Sequence, residues 1–161
     1  MTCNNDCCAI VDDLLEQIQN GLKRYQPIEK RWETEKIGRF ELINDSYNAN
    51  PDSMKAALKT VFELYPDCVI VLGDMGELGE NEKEYHREVG EFVKQNKTDS
   101  NIIITVGELA KEIDNTNNFL CNSDAANYII NNVKGNKTIF FKASRSMKFE
   151  EIIKEIKESI K

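Results

Sequence analysis

The sequence predicts an α/β fold: a doubly wound, mostly parallel sheet with helices on both faces. Three observations carry that prediction. Four short apolar runs, Phe40 to Ile43, Cys68 to Leu72, Ile102 to Val106 and Thr138 to Phe141, are mostly unbroken rather than alternating, the pattern of strands covered on both faces. Their starts lie roughly thirty residues apart, room for a crossover helix each time. The segments between them repeat apolar residues at helical spacing, so strand and helix alternate along the chain.

In chain order, residues 1–30 stand outside the alternation. Ile10, Leu14, Ile18 and Leu22 mark an amphipathic helix ending at Gly21 or soon after, and Tyr25-Gln26-Pro27 breaks it. The expected boundary therefore falls between Pro27 and Arg31, with residues 1–30 the end of a preceding unit and residues 31–161 the α/β domain. After the first strand, Asn50 as N-cap and Pro51 at the first helical position start a helix whose apolar face is Met54, Ala57, Leu58 and Val61. Tyr85, Val89, Phe92 and Val93 mark the second helix of the alternation. Ala125, Ala126, Ile129, Ile130 and Val133, following Ser123, mark the third, and Phe149, Ile152, Ile153, Ile156 and Ile160 mark the last. No internal repeat, low-complexity tract or long Gly/Ser linker interrupts this order.

Composition narrows the function. At 161 residues, 40% apolar and 30% charged, the chain has room for one domain with a short appendage. A domain of this size buries roughly two-thirds of its unfolded surface and needs neither disulfides nor a structural metal. The 21 Lys and Arg against 28 Asp and Glu leave a formal charge of −7, which repels a phosphate backbone and argues against nucleic-acid partners. The longest apolar run falls far short of the ~20 residues that cross a bilayer. The amino terminus has neither a basic segment nor an apolar core of a secretory signal, so a cytoplasmic protein is expected. Cys3, Cys7, Cys8, Cys68 and Cys121 lack paired C-x-x-C spacing and the sole histidine, His86, is remote from them, so no metal site or disulfide framework is expected. Cys68 reads as a small buried hydrophobe, and Cys3, Cys7 and Cys8 as reduced thiols of a frayed terminus.

In open parallel sheets ligands bind beyond the carboxyl ends of the strands, and the polar residues concentrate there. The loop Asn44-Asp45-Ser46-Tyr47-Asn48-Ala49-Asn50-Pro51 packs hydrogen-bonding side chains ahead of a helix N-terminus. Asp45 can accept from a ribose diol, and Asn48 and Asn50 can donate and accept; Asn50 taken alone reads as a cap. The loop from Gly73 to Gly79 spaces glycines by three residues, which is neither G-x-G-x-x-G nor a P-loop; tight turns explain them. Asp74, directly after a strand, suits a phosphoacceptor or metal ligand, but an acidic cap is the expectation. Lys142 and Arg145 flank Ser144 just ahead of the last helix and suit a carboxylate or phosphate; solvated surface charge is an equal alternative. His86 has no visible nucleophile partner and reads as structural.

The string Asp45-Ser46-Tyr47-Asn48-Ala49-Asn50-Pro51, followed by Ser53-Met54 and Ala56-Ala57-Leu58, resembles the carboxy-terminal domain of the Mur ligases. Val71-Leu72-Gly73-Asp74-Met75 with Glu77-Leu78-Gly79 is similar to the family's second strand and loop, and His86-Arg87-Glu88-Val89-Gly90 to its helix. Lys142-Ala143-Ser144-Arg145-Ser146 resembles its Lys-Gly-Ser-Arg-Ser motif, with Ala143 where glycine is usual. The match runs from about Ile10 to the end, and is to the branch that joins D-alanyl-D-alanine to UDP-N-acetylmuramoyl-tripeptide in peptidoglycan precursor synthesis.

The resemblance implies a Rossmann-like third domain that closes over a nucleotide, with the helix from Ala9 to Leu22 as the last of a preceding ATPase domain. It implies Arg31 near the ATP phosphates and Asp45 near the ribose. Asn48, Asn50, Lys142, Ser144 and Arg145 would line the interdomain cleft and help place D-alanyl-D-alanine. ATP and Mg2+ would be used by the complete enzyme and not held by this chain alone. Phosphoryl transfer needs a phosphate cradle, and the sequence contains no G-x-x-x-x-G-K-[ST], so no catalytic residue is expected in it. The alternatives are a stand-alone, non-catalytic module that binds an amino acid or dipeptide, and an unrelated α/β interaction domain.

Overall fold

The computed structural model describes residues 30–160 and, ahead of them, Gln17. Gln17 apart, the expected helix from Ala9 to Leu22 lies outside the described residues, as do the thiols of Cys3, Cys7 and Cys8. The strands are β1 (Glu33–Ile37), β2 (Phe40–Asn44), β3 (Cys68–Gly73), β4 (Ile102–Val106), β5 (Asn118–Phe119) and β6 (Lys137–Lys142). The helices are α1 (Pro51–Leu64), α2 (Glu82–Asn96), α3 (Asn122–Asn132) and α4 (Glu150–Ile160), with single 3-10 turns at Gly79–Asn81, Ala110–Glu112 and Arg145–Met147.

One sheet runs in the order β1-β2-β6-β3-β4-β5. All pairs are parallel except β1 with β2, which sets Glu33 opposite Asn44 and Ile37 opposite Phe40. The unbroken apolar runs have a simple cause: successive residues of a strand point to opposite faces, and both faces are covered. Val69, Val71, Ile139 and Phe141 pack with Ala126 and Ile129 of α3 and Ile152 and Ile156 of α4. Their neighbours Ile70, Leu72 and Phe140 pack with Met54, Leu58 and Val61 of α1 and Val89 and Val93 of α2.

Helix α1 begins where its sequence says. Asn50 accepts from the Ser53 amide at 2.8 Å, and the Asn50 amide donates to Ser53 Oγ at 3.1 Å, a reciprocal capping box with Pro51 at the first helical position. Helix α3 begins at Asn122, one residue before the expected Ser123, with Cys121 in the cap position and no side-chain cap bond.

Strands β1 and β5 are absent from the periodicity reading. β1 is Glu-Thr-Glu-Lys-Ile, an exposed edge carrying no apolar stripe. It pairs because a tight turn through Gly38, at φ +54°, folds it back onto β2. β5 is two residues long, below any periodicity window. Among the described residues, no helix is long and apolar enough to cross a membrane.

Helix α1, leaving β2, and helix α4, following β6, cover opposite faces of the sheet, while β2 and β6 are neighbours. Where adjacent strands send their chains to opposite faces, a crevice opens beyond their carboxyl ends. That crevice carries the candidate site.

Candidate functional site

The Asp45 amide donates to the Phe141 carbonyl at 2.9 Å, continuing the β2–β6 ladder one step past β2. This brings Asp45 beside Lys142, the last residue of β6. Lys142 Nζ donates to Asp45 Oδ2 at 2.6 Å and to the Asn48 carbonyl at 3.1 Å. Lys142 is only 3% exposed, and lysine is rarely buried without a partner.

The rest of the loop is held by its own polar groups. Asn44 Oδ1 accepts from the Ser46 amide at 3.2 Å and from Ser46 Oγ at 2.6 Å, a turn that asparagine favours. Asn48 Oδ1 accepts from the Ala49 amide at 2.9 Å. Ala49 is buried in the cluster beneath α1. Next to this loop the Tyr47 amide donates to the Lys30 carbonyl at 3.1 Å, and the Arg31 guanidinium lies 4.7 Å from the centre of the Tyr47 ring, within cation–π range. Trp32 anchors the same segment with its ring 5.5 Å from that of Phe140. Lys30 and Trp32 have φ of +62° and +52°, a left-handed conformation that is costly for a bulky side chain.

The result is a polar depression of about 290 Å³ with Arg31, Asp45, Tyr47, Asn48, Asn50 and Lys142 in its lining. Ser144 and Arg145 are not in it. Ser144 is nearly buried, its amide donating to the Asp74 carbonyl at 3.1 Å and its Oγ lying 3.0 Å from Ser146 Oγ. Arg145 turns outward to Glu150 at 2.8 Å.

Glu150 also receives Lys30 at 3.0 Å. Burial works against its charge, but hydrogen bonds from its own amide, Lys30 and Arg145 outweigh that and hold its carboxyl below the ordinary range. This cluster was not legible in the sequence: Lys30 and Glu150 lie at opposite ends of the domain. The only local signal was an acidic residue in the first turn of α4, a few residues after Arg145.

In the second loop Asp74 is an acidic cap, the expected role, but on a 3-10 turn after β4 rather than on a helix. Asp74 Oδ1 accepts from the Leu109 and Ala110 amides at 3.1 and 2.7 Å, capping the 3-10 turn that follows β4. Gly107 has φ +124°, and a Cβ there would lie 2.2 Å from Asp74 Oδ1. His86 is fully buried; its Nε2 accepts from the Met75 amide at 2.9 Å. The other nitrogen, Nδ1, then carries the proton and donates to the Glu82 carbonyl at 2.6 Å. Cys68 is buried, and burial pushes its thiol up to about 12, which keeps it unreactive. Among the described residues no three His, Cys, Asp or Glu side chains converge in a metal-binding group.

Comparison with known proteins places these observations. Residues 30–157 match the family model described as Mur ligase, glutamate ligase domain. A UDP-N-acetylmuramoyl-tripeptide--D-alanyl-D-alanine ligase of Bacillus subtilis (strain 168) is 38% identical over 132 residues, 74% of this chain and 28% of that protein. Among solved structures, a MurF from Acinetobacter baumannii superposes with a TM-score of 0.77 at 27% identity, covering 89% of this chain and 34% of that one. The MurF ligase from Thermotoga maritima, in complex with ADP, superposes with a TM-score of 0.71 at 22% identity, covering 85% of this chain and 32% of that one. The chain thus spans 28% of the Bacillus subtilis relative's length and 34% of the Acinetobacter baumannii one.

Proposed function

Because this chain belongs to the Mur ligase family through its glutamate ligase domain, we propose that it is the carboxy-terminal domain of a ligase that joins D-alanyl-D-alanine to UDP-N-acetylmuramoyl-tripeptide at the expense of ATP. In such a reaction a substrate carboxylate oxygen takes the γ-phosphoryl group of ATP, releasing ADP. The dipeptide amine then attacks the acyl carbon, phosphate leaves, the amine gives up a proton, and an amide remains. Mg2+, if held by the complete enzyme's other domains, would supply positive charge beside the phosphates; among the described residues of this chain no metal-binding group is formed.

The chain's own part is binding and orientation. Its sequence contains no P-loop, so in this proposal the phosphoryl chemistry falls to a separate ATPase domain, to whose end residues 1–30 would belong. Arg31 suits the nucleotide phosphates: it leans on Tyr47, and among the described residues no carboxylate pairs with it. Asp45 is an acceptor in the same depression and suits the ribose diol. Asn48 and Asn50, in the depression, suit the dipeptide; Ser144 and Arg145 lie outside it, in the loop that follows Lys142, and would reach the dipeptide from there. Arg145 already carries a carboxylate, that of Glu150, the same group that the dipeptide would present.

The observation that carries this reading is the convergence of Arg31, Asp45, Asn48, Asn50 and Lys142 in one depression at the carboxyl ends of β2 and β6. The test supplies ATP, Mg2+, UDP-N-acetylmuramoyl-tripeptide and D-alanyl-D-alanine to this chain alone and to the chain joined to ATPase and UDP-sugar domains. Amide product and phosphate are expected only from the joined protein. Product from the chain alone, or none from the joined protein, rejects the proposal.

A further inference from the structure

Resting on the reading above, we propose that Lys142 is a positioning residue: it shapes the rim through Asp45 and the Asn48 carbonyl and does not itself touch nucleotide or dipeptide. An ammonium has three N–H donors and no acceptor. Lys142 spends two of them inside the protein, on Asp45 Oδ2 at 2.6 Å and the Asn48 carbonyl at 3.1 Å. Both acceptors belong to the loop between β2 and α1, so one buried charge ties that loop to the end of β6.

The loop is pinned elsewhere by backbone and core. Asp45 N is held by Phe141, Ala49 is buried, and Asn50 caps α1. Between those anchors, the lysine sets where Asp45 Oδ2 and the Asn48 carbonyl lie. With Oδ2 engaged, the acceptor that Asp45 can offer a ligand is Oδ1, in an orientation dictated by the ion pair. A ligand anion that reached for Lys142 would have to displace Asp45 from a side chain only 4% exposed. Arg31, in the lining of the same depression, is the exposed cation there.

The test is a double-mutant cycle on this chain with Lys142→Met, Asp45→Asn and the pair. It is read by amide proton–nitrogen spectra and by titration with ADP and with D-alanyl-D-alanine. Lys142→Met is expected to shift the amides of Ser46 to Ala49 in the ligand-free chain. It should also weaken ADP about tenfold, with the double variant binding ADP no more weakly than Asp45→Asn alone, as required if the lysine works through the aspartate. Unmoved amides overturn the proposal, and so does a double variant whose loss is the product of the two single losses, which means direct contact. If the unmodified chain binds neither probe, the ligand reading fails for this chain and the ligand-free amides decide the positioning role. Should Lys142→Met not fold, Lys142→Arg is read by the same amides, because a planar guanidinium does not replace a compact ammonium between two acceptors; shifted amides support the proposal and unmoved ones overturn it.

Discussion

Gly73 ends β3 directly beneath the rim, and a Cβ there would lie 2.6 Å from Ala143 Cβ and 2.7 Å from Phe149 Cζ. Ala143 and Phe149 are both buried, so the absent side chain at Gly73 is what leaves room for the alanine methyl and the Phe149 ring at this corner. Gly73→Ala is expected to overpack this corner and lower stability by about 1–3 kcal/mol, measured by urea unfolding; an unchanged midpoint would show that Phe149 yields freely. His86 shows what one residue's identity can and cannot reveal. Its lack of a nucleophile partner was visible in the sequence, and its structural role was read from that. Its bond to the Met75 amide was not visible, because the contact depends on how the loop after β3 lies across α2.

At the scale of elements, the start of α1 was legible because Asn50 and Pro51 are adjacent, while the reciprocal bonds with Ser53 that complete the capping box came from the structure. Asn50→Ala should cost about 1 kcal/mol of stability through loss of that cap, seen as a lower thermal midpoint. The amides of Ser46 to Ala49 should stay where they are, since Lys142 and not the cap sets the polar side of the loop; if they move with Asn50→Ala, cap and rim are one unit. Strand β1 was illegible for the opposite reason. Its first four side chains are exposed and three of them charged, with Ile37 alone apolar and half-buried, so nothing in its periodicity asks for a sheet, and its pairing follows from the turn at Gly38 and the free edge of β2. Glu33, Glu35 and Lys36 on such an edge also discourage another chain from adding to it.

For the molecule as a whole, acid stability is set by carboxylates held in their charged form. Burial works against the charge of Asp114, but hydrogen bonds from Thr116 and Lys97 outweigh it and hold the carboxyl below its ordinary range. The unfolded chain then binds more protons than the native one near that range, so the contribution of Asp114 is present above about pH 4 and is lost as the pH falls through its native value. Asp114→Asn should therefore be less stable than the parent at pH 7 by about 1–3 kcal/mol, with the gap closing below pH ~4; a gap that persists in acid would assign the loss to packing instead. Glu150 titrates in the same direction, but solvent screens its half-exposed pairs with Lys30 and Arg145. The amino-acid sequence by itself determined the wound sheet, because consecutive apolar residues can be buried only where both faces of a strand are covered. It also determined which loops hold the polar residues. Only the tertiary structure decided which of those residues meet. Asp45 and Lys142 are 97 positions apart and come together because β6 inserts beside β2, whereas Arg145, three residues beyond Lys142, is carried outward to Glu150 by a turn whose direction depends on α4 packing behind it.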